Sequence, residues 1–355
     1  MSRSKRILSR LLCTALVVAG AASLAGQSAY VTNAASNNVS VVDTATNTVV
    51  ATIPVGTFPQ GVGVTPDGSK VYVANQTSNT VSVIATASNT VLATIPVAGG
   101  PIGIAVSPGG SSVYVTSVSS STVSVISTAS NTVVATIPVA ATPIGLALTP
   151  DGTKVYVVGI TGTVQVIATA TNTVTASIPG FGQGQGIAVT PDGTKVYVVN
   201  LSGNTVLVIS VASNTVIATI PVGTGPVGVA VNPDGSKVYV TNEVSSNVSV
   251  ISSATNTVIS TIPVGTGPIG LAVMPDGSKV YVANRGAGSV SVINTATNTV
   301  TATVAVGANP TAFGVFIRPP AATQSVPTLS EWAMLLLALS LGGLAVQALR
   351  RTSTI

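Results

Sequence analysis

Histidine is absent from the 355-residue chain, and cysteine occurs once, at Cys13. Those two absences remove histidine-based acid–base catalysis, Cys/His metal centres and an internal disulfide framework. Charge is also scarce. Only 6% of residues are Asp, Glu, Lys or Arg, against the quarter or so usual for soluble domains. Aromatic residues make up 3%. What remains is an aliphatic chain, 46% hydrophobic, whose many valines argue against disorder. The formal charge of +5 invites a nucleic-acid or membrane-surface reading, but its distribution removes that invitation. Residues 30–320 carry seven Lys or Arg against seven Asp or Glu, so the excess lies in the two ends. No nucleic-acid partner is expected.

The ends read as addresses. Residues 1–29 have the layout of a secretory signal peptide followed by the start of the mature chain. A basic stretch with Arg3, Lys5, Arg6 and Arg10 leads into an apolar run, and Ser23 and Ala25 supply the small residues of a cleavage site. Cys13 would leave with it. At the other end an apolar run, 333–349, sits between Trp332 and the pair Arg350-Arg351. Seventeen residues at ~1.5 Å each give ~25 Å, close to a membrane span with its C-terminus in the cytoplasm. Residues 320–325 form an extended spacer before it.

Between the ends, the seven tyrosines Tyr30, Tyr72, Tyr114, Tyr156, Tyr197, Tyr239 and Tyr281 recur every 41 or 42 residues. A period in the forties made of short β runs indicates propeller blades. One period contains a Gly61-to-Thr65 strand, a Pro66-Asp67-Gly68 turn, a Lys70-to-Asn75 strand, a Thr80-to-Ile84 strand and a Thr90-to-Pro96 strand. The strands are apolar on both faces, as sheets packed between two neighbours require. Tyr30 stands at a second-strand position, so the first blade lacks its inner strand, and residues 313–317 supply one at the far end of the repeats. The reading is an all-β, seven-bladed β-propeller of 28 strands, closed by that C-terminal inner strand, over residues 30–319. An open solenoid is the alternative, and it would leave 313–317 unpaired.

The repeat text, Val-Tyr-Val-Thr/Ala-Asn with Pro-Asp-Gly-Ser/Thr-Lys, resembles the YVTN family of β-propeller proteins. Tyr30-Val31-Thr32-Asn33 and Tyr239-Val240-Thr241-Asn242 carry the full motif, while Ser117 and Gly159 replace Asn in two blades. The resemblance implies an exported or surface-layer propeller with a binding or structural role and no defined catalysis. The tail Val326, Pro327, Thr328, Leu329, Ser330, Glu331, Trp332, then an apolar helix, then two arginines, resembles the IPTL-CTERM sorting signal of Gram-negative bacteria. Over 326–355 that resemblance implies an exosortase-like processing enzyme as partner. The transmembrane helix would hold the chain in the inner membrane before removal, and delivery would be to the cell surface or extracellular matrix.

Candidate chemistry is sparse. The Asp residues of the Pro-Asp-Gly turns could form a carboxylate ring, but turn chemistry and a lysine three residues on account for them. One tyrosine per blade reads as inter-blade packing with a bonded hydroxyl, and the strand-terminal asparagines as partners for backbone groups of the next turn. Departures from the repeat point to one face, shared by the second-to-third and fourth-to-first loops. Phe58, Gln60, Gln76, Phe181, Gln183, Gln185, Glu243 and Arg285 gather there as candidate ligand-binding residues, suited to polysaccharide or a surface protein. No catalytic residue, metal site or cofactor is expected. A lactonase-like or quinoprotein-like propeller enzyme is the alternative, and it would require buried acids or a cofactor pocket.

Overall fold

The computed structural model describes residues 27–140 and 142–319, so the signal-peptide, linker and sorting-signal readings lie outside the described residues. Those residues form seven antiparallel sheets arranged as the blades of a propeller. The first blade holds β1 (Ser28–Asn33), β2 (Asn38–Asp43) and β3 (Thr48–Pro54). The second holds β4 (Pro59–Val64), β5 (Lys70–Asn75), β6 (Thr80–Ala85) and β7 (Thr90–Pro96), hydrogen-bonded in sequence order. Five more four-stranded blades cover 101–138, 143–179, 184–221, 226–263 and 268–305.

Local chemistry sets the strand ends. In the Pro66-Asp67-Gly68 turn, Gly68 takes φ +68° and Asp67 accepts from the Thr65 hydroxyl (2.5 Å) and the Ser69 amide (3.0 Å). The third-to-fourth turn of every blade carries an asparagine in the left-handed region, from Asn47 at +54° to Asn298 at +53°, a conformation Asn tolerates better than other side chains. The outer strand of each blade contains a β-bulge. In β3, Val41 pairs with Ala51 and Val42 with Val49, which leaves Val50 as the extra residue, 58% exposed.

Adjacent blades meet through a tyrosine the repeat supplies in every blade and a lysine it supplies in five of the seven. The Tyr72 hydroxyl donates to Asn131 Oδ1 (3.0 Å) and the Lys70 ammonium to the Thr128 carbonyl (2.7 Å), both in the following blade. The same pair closes the ring: Tyr281 donates to Asn47 (2.9 Å) and Lys279 to the Thr44 carbonyl (3.0 Å) of the first blade. The lysines thus bond across blades, and none forms an ion pair with its turn aspartate among the described residues. On the inner strands, a Cβ at Gly61 would sit 2.0 Å from the Ile102 carbonyl oxygen, so glycine there is a condition of blade-to-blade approach.

Two expectations need correction. The strand-terminal asparagines bond chiefly to side chains: Asn33 Nδ2 donates to Asn38 Oδ1 (2.8 Å) and Ser40 Oγ (2.9 Å). A short polar cluster on the next strand, already facing the amide, takes the place of backbone partners. The closing segment, in turn, is not a regular twenty-eighth strand, and 27 strands form among the described residues. Its ends follow β1, where Thr311 N donates to the Thr32 carbonyl (2.9 Å) and Tyr30 N to the Phe316 carbonyl (2.8 Å). Its middle crosses to β4, where Val62 N donates to the Phe313 carbonyl (2.8 Å) and Val64 N to the Val315 carbonyl (3.1 Å). Ala312 (φ +46°) and Gly314 (φ +108°) make the switch and break the ladder. The ring closes all the same, and Phe316 is fully buried in the seam.

Candidate ligand-binding face

The second-to-third and fourth-to-first loops do share one face, because their backbones bond to each other. Gln76 N donates to the Phe58 carbonyl (3.0 Å), Leu201 N to the Gln183 carbonyl (2.7 Å), and Arg285 N to the Gly267 carbonyl (2.8 Å). This loop-to-loop bond recurs around the ring and ties the loops into one platform.

Phe58 is its most informative residue. It is 40% exposed and adopts φ +58°, held by a bond from its amide to Asn37 Oδ1 (2.9 Å). At the same place in other blades stand Gly100, Gly225 and Gly267, with φ between +64° and +69°, and also Thr142 (φ +53°) and Asn309 (φ +52°). A bulky side chain in that region costs roughly 1–2 kcal/mol relative to glycine. Here the cost is borne by an aromatic ring that is turned to solvent. Gln76, half-buried, lies beside it.

A second pair lies on the sixth and seventh blades. The Arg285 guanidinium donates to Glu243 Oε1 across the blade boundary, the one ion pair among the described residues. Val244, next to Glu243, is 71% exposed. Sequence reasoning passed over it because valine is the commonest strand residue of the repeat. Its signal was position, since the other blades have Ala35, Thr77, Ser119, Thr161, Ser202 or Gly286 there.

The remaining candidates separate. Gln183 is exposed on the face, its amide bonded to Ser202 Oγ (3.0 Å). Phe181 is half-buried and packs against the core cluster of Tyr156, Val158 and Ile187, so it serves the fold at least as much as the surface. Gln60 is buried on β4, its carbonyl accepting from the Thr32 hydroxyl (2.7 Å). Gln185 lies on an inner strand and lines the central channel. Both glutamines were expected on loops; they belong to inner strands because pairing starts at Pro59 and Gly184. Among the described residues no three His, Cys, Asp or Glu side chains gather as metal ligands, and no helix is long and apolar enough to cross a membrane.

Fold and face together define a seven-bladed β-propeller with a loop platform and, in its tail, a sorting motif. Residues 186–315 match the model of the lactonase seven-bladed β-propellers and residues 70–154 that of the YNCE-like β-propellers. Residues 324–351 match the IPTL-CTERM motif. No curated protein matches. Among solved structures, hydrazine synthase of Kuenenia stuttgartiensis is similar with 24% identity and a TM-score of 0.71, over 75% of this chain and 92% of that one. A functionally unknown protein from Desulfotomaculum acetoxidans DSM 771 is similar with 20% identity and a TM-score of 0.71, over 81% and 100%. At these identities the likeness shows the fold alone.

Proposed function

We propose that the chain is an exported propeller, sorted to the cell surface or extracellular matrix, that acts as a non-catalytic binding or scaffold module. The IPTL-CTERM match supports the destination. An exosortase-like enzyme would process the tail, and the apolar run 333–349 would anchor the precursor until then. Phe58 carries the binding reading. Its backbone is left-handed, as at Gly100, Thr142, Gly225, Gly267 and Asn309, but Phe58 alone of these puts a large aromatic side chain there, 40% exposed. The loop imposes that conformation on whichever residue stands there, so the exposed ring, and not the strain, carries the reading. An exposed aromatic with neighbouring amides suits a polysaccharide or a partner protein.

The test is a glycan and surface-protein binding screen on the wild type and on Phe58→Gly. The substitution should raise stability by about 1 kcal/mol, read from denaturant unfolding, while lowering affinity at least about tenfold. A variant that binds every partner as well as the wild type would remove Phe58 from the site.

The second reading, a propeller enzyme, is favoured by the lactonase-propeller match over 186–315. Against it stands the side-chain inventory: outside the turns, only Asp43 and Glu243 supply carboxylates within 30–320. Asp43 is engaged by the amides of Ala45 (2.9 Å) and Thr46 (2.8 Å), and Glu243 by Arg285. Stoichiometric metal retained by the purified chain, together with turnover of a lactone, would establish the enzyme reading.

A further inference from the structure

The inner strands enclose a central channel of about 620 Å³, within the size range of small-molecule sites. Its chemistry is one-sided. No charged side chain lines it, and the walls are aliphatic, with Ile104, Leu146, Val189 and Val229 among them. One end is bounded by prolines of the first-to-second turns, such as Pro66, Pro150 and Pro233, with Pro319 of the closing segment. Proline offers no backbone donor.

Three side chains of the lining are polar. The hydroxyls of Thr65 and Thr149 are spent on Asp67 and Asp151 (2.5 Å each). Gln185 alone keeps an amide with no protein partner, and it sits near the start of its strand, away from the prolines. Gln185 and Val189, at opposite ends of the strand, are four steps and roughly 13 Å apart, with Pro191 beyond.

The closing segment adds a feature the packing does not use. Its middle departs from β1, and the detour leaves Val315, 65% exposed, among the channel-lining residues with Phe313 beside it. A large aliphatic side chain exposed on an inner wall gains nothing for the fold and is matched by no other inner-strand residue of its class.

We propose that the channel binds a neutral, elongated amphiphile: an unbranched apolar chain along the aliphatic wall, with a hydroxyl or carbonyl head bonded to the Gln185 amide. A charged head would enter a space with no counter-charge and lose its hydration, which excludes carboxylates and phosphates. The neutral amide both donates and accepts, so it fits an alcohol or an amide group. This site is distinct from the loop platform around Phe58, and each can fail without the other.

The experiment is a fluorescence titration of the full chain with the neutral dye N-phenylnaphthylamine, followed by competition with tetradecanol and tetradecanoate. The expected result is saturable dye binding, displaced by tetradecanol at a concentration at least about tenfold below that needed of tetradecanoate at about pH 8. Val315→Trp, which fills the channel, and Val315→Asp, which charges it, should each weaken dye binding at least about tenfold. Because Val315 is exposed, neither should disturb the fold, which circular dichroism and melting check. Gln185→Leu should weaken tetradecanol about fivefold and leave the dye unchanged. Leu92→Lys, on an exposed outer strand, should change nothing. Absence of saturable binding, or binding indifferent to both Val315 variants, or equal competition by alcohol and carboxylate, would overturn the proposal.

Discussion

Tyr72 and Asn131 show how a single residue pair serves the ring. The buried Tyr72 hydroxyl gains an acceptor from the next blade, a turn asparagine whose backbone is itself left-handed (φ +52°), whereas the Tyr239 hydroxyl is buried with no partner. Tyr72→Phe should therefore cost about 1 kcal/mol in denaturant unfolding, the value of one hydrogen bond. Asn131→Ala should cost more, about 2 kcal/mol, because it removes the acceptor and also forces alanine into the left-handed region. Equal losses would contradict the double role. Titration follows from the same burial. Desolvation pushes Tyr72, Tyr239 and Tyr281 up to about 12 from an ordinary 10.0, so the fold favours the neutral phenol. Their contribution is complete below about pH 10 and is lost as pH rises toward about 12. The turn aspartates act in the opposite sense. Bonds from Thr65 and Ser69 hold Asp67 below the usual carboxylate range, and Asp192 is held down likewise by Thr190 and Thr194. That stability is present above the unfolded aspartate pKa and is lost as pH falls below about 4. With no histidine to titrate between, the unfolding midpoint should be flat from about pH 5 to about pH 9. A transition near pH 6.5, roughly where a histidine would report, would contradict the assignment.

At the scale of elements, the closing segment decides whether the ring stays shut. It is the one inner element that pairs with two neighbours, β1 by its ends and β4 by its middle, and Phe316 is its fully buried anchor. Phe316→Ala should cost about 3–5 kcal/mol by loss of a buried ring at the seam. Limited proteolysis should then cut first near β1, and a variant as stable as the wild type would show that closure rests elsewhere. This element also marks how far sequence reaches. The second, third and outer strands were legible because their tyrosine, turn and threonine signals recur seven times in text. The register of 313–317 was not. Phe313, Gly314 and Val315 read as a regular strand in alternation, and the detour toward β4 follows from backbone angles at Ala312 and Gly314 that composition does not encode. The candidate face was legible in outline, since loops sharing a face follow from strand order alone. Gln60 and Gln185 were misplaced because a proline or glycine before them read as loop, whereas in the folded ring those residues open the inner strands.

For the whole molecule, scarcity of charge and of aromatics takes on a definite meaning. Sheets stacked around an axis bury both faces of nearly every blade, so valine and isoleucine can stand where other soluble folds alternate with charge. Apart from Arg318, the balanced Lys, Arg, Asp and Glu of residues 30–320 serve turns, blade-to-blade bonds and one ion pair on the loop platform. Chemistry that could define a partner is left to a few departures from the repeat: Phe58, Gln183, Val244, Glu243 and Arg285 on the platform, Gln185 and Val315 in the channel. The proposed role puts this propeller outside the cell as a displayed binding module. Protease added to intact producing cells tests it most directly, with a cytosolic protein followed in parallel. The propeller should be released or degraded while the cytosolic marker survives. A propeller fully protected in intact cells, and cut only after lysis, would contradict it.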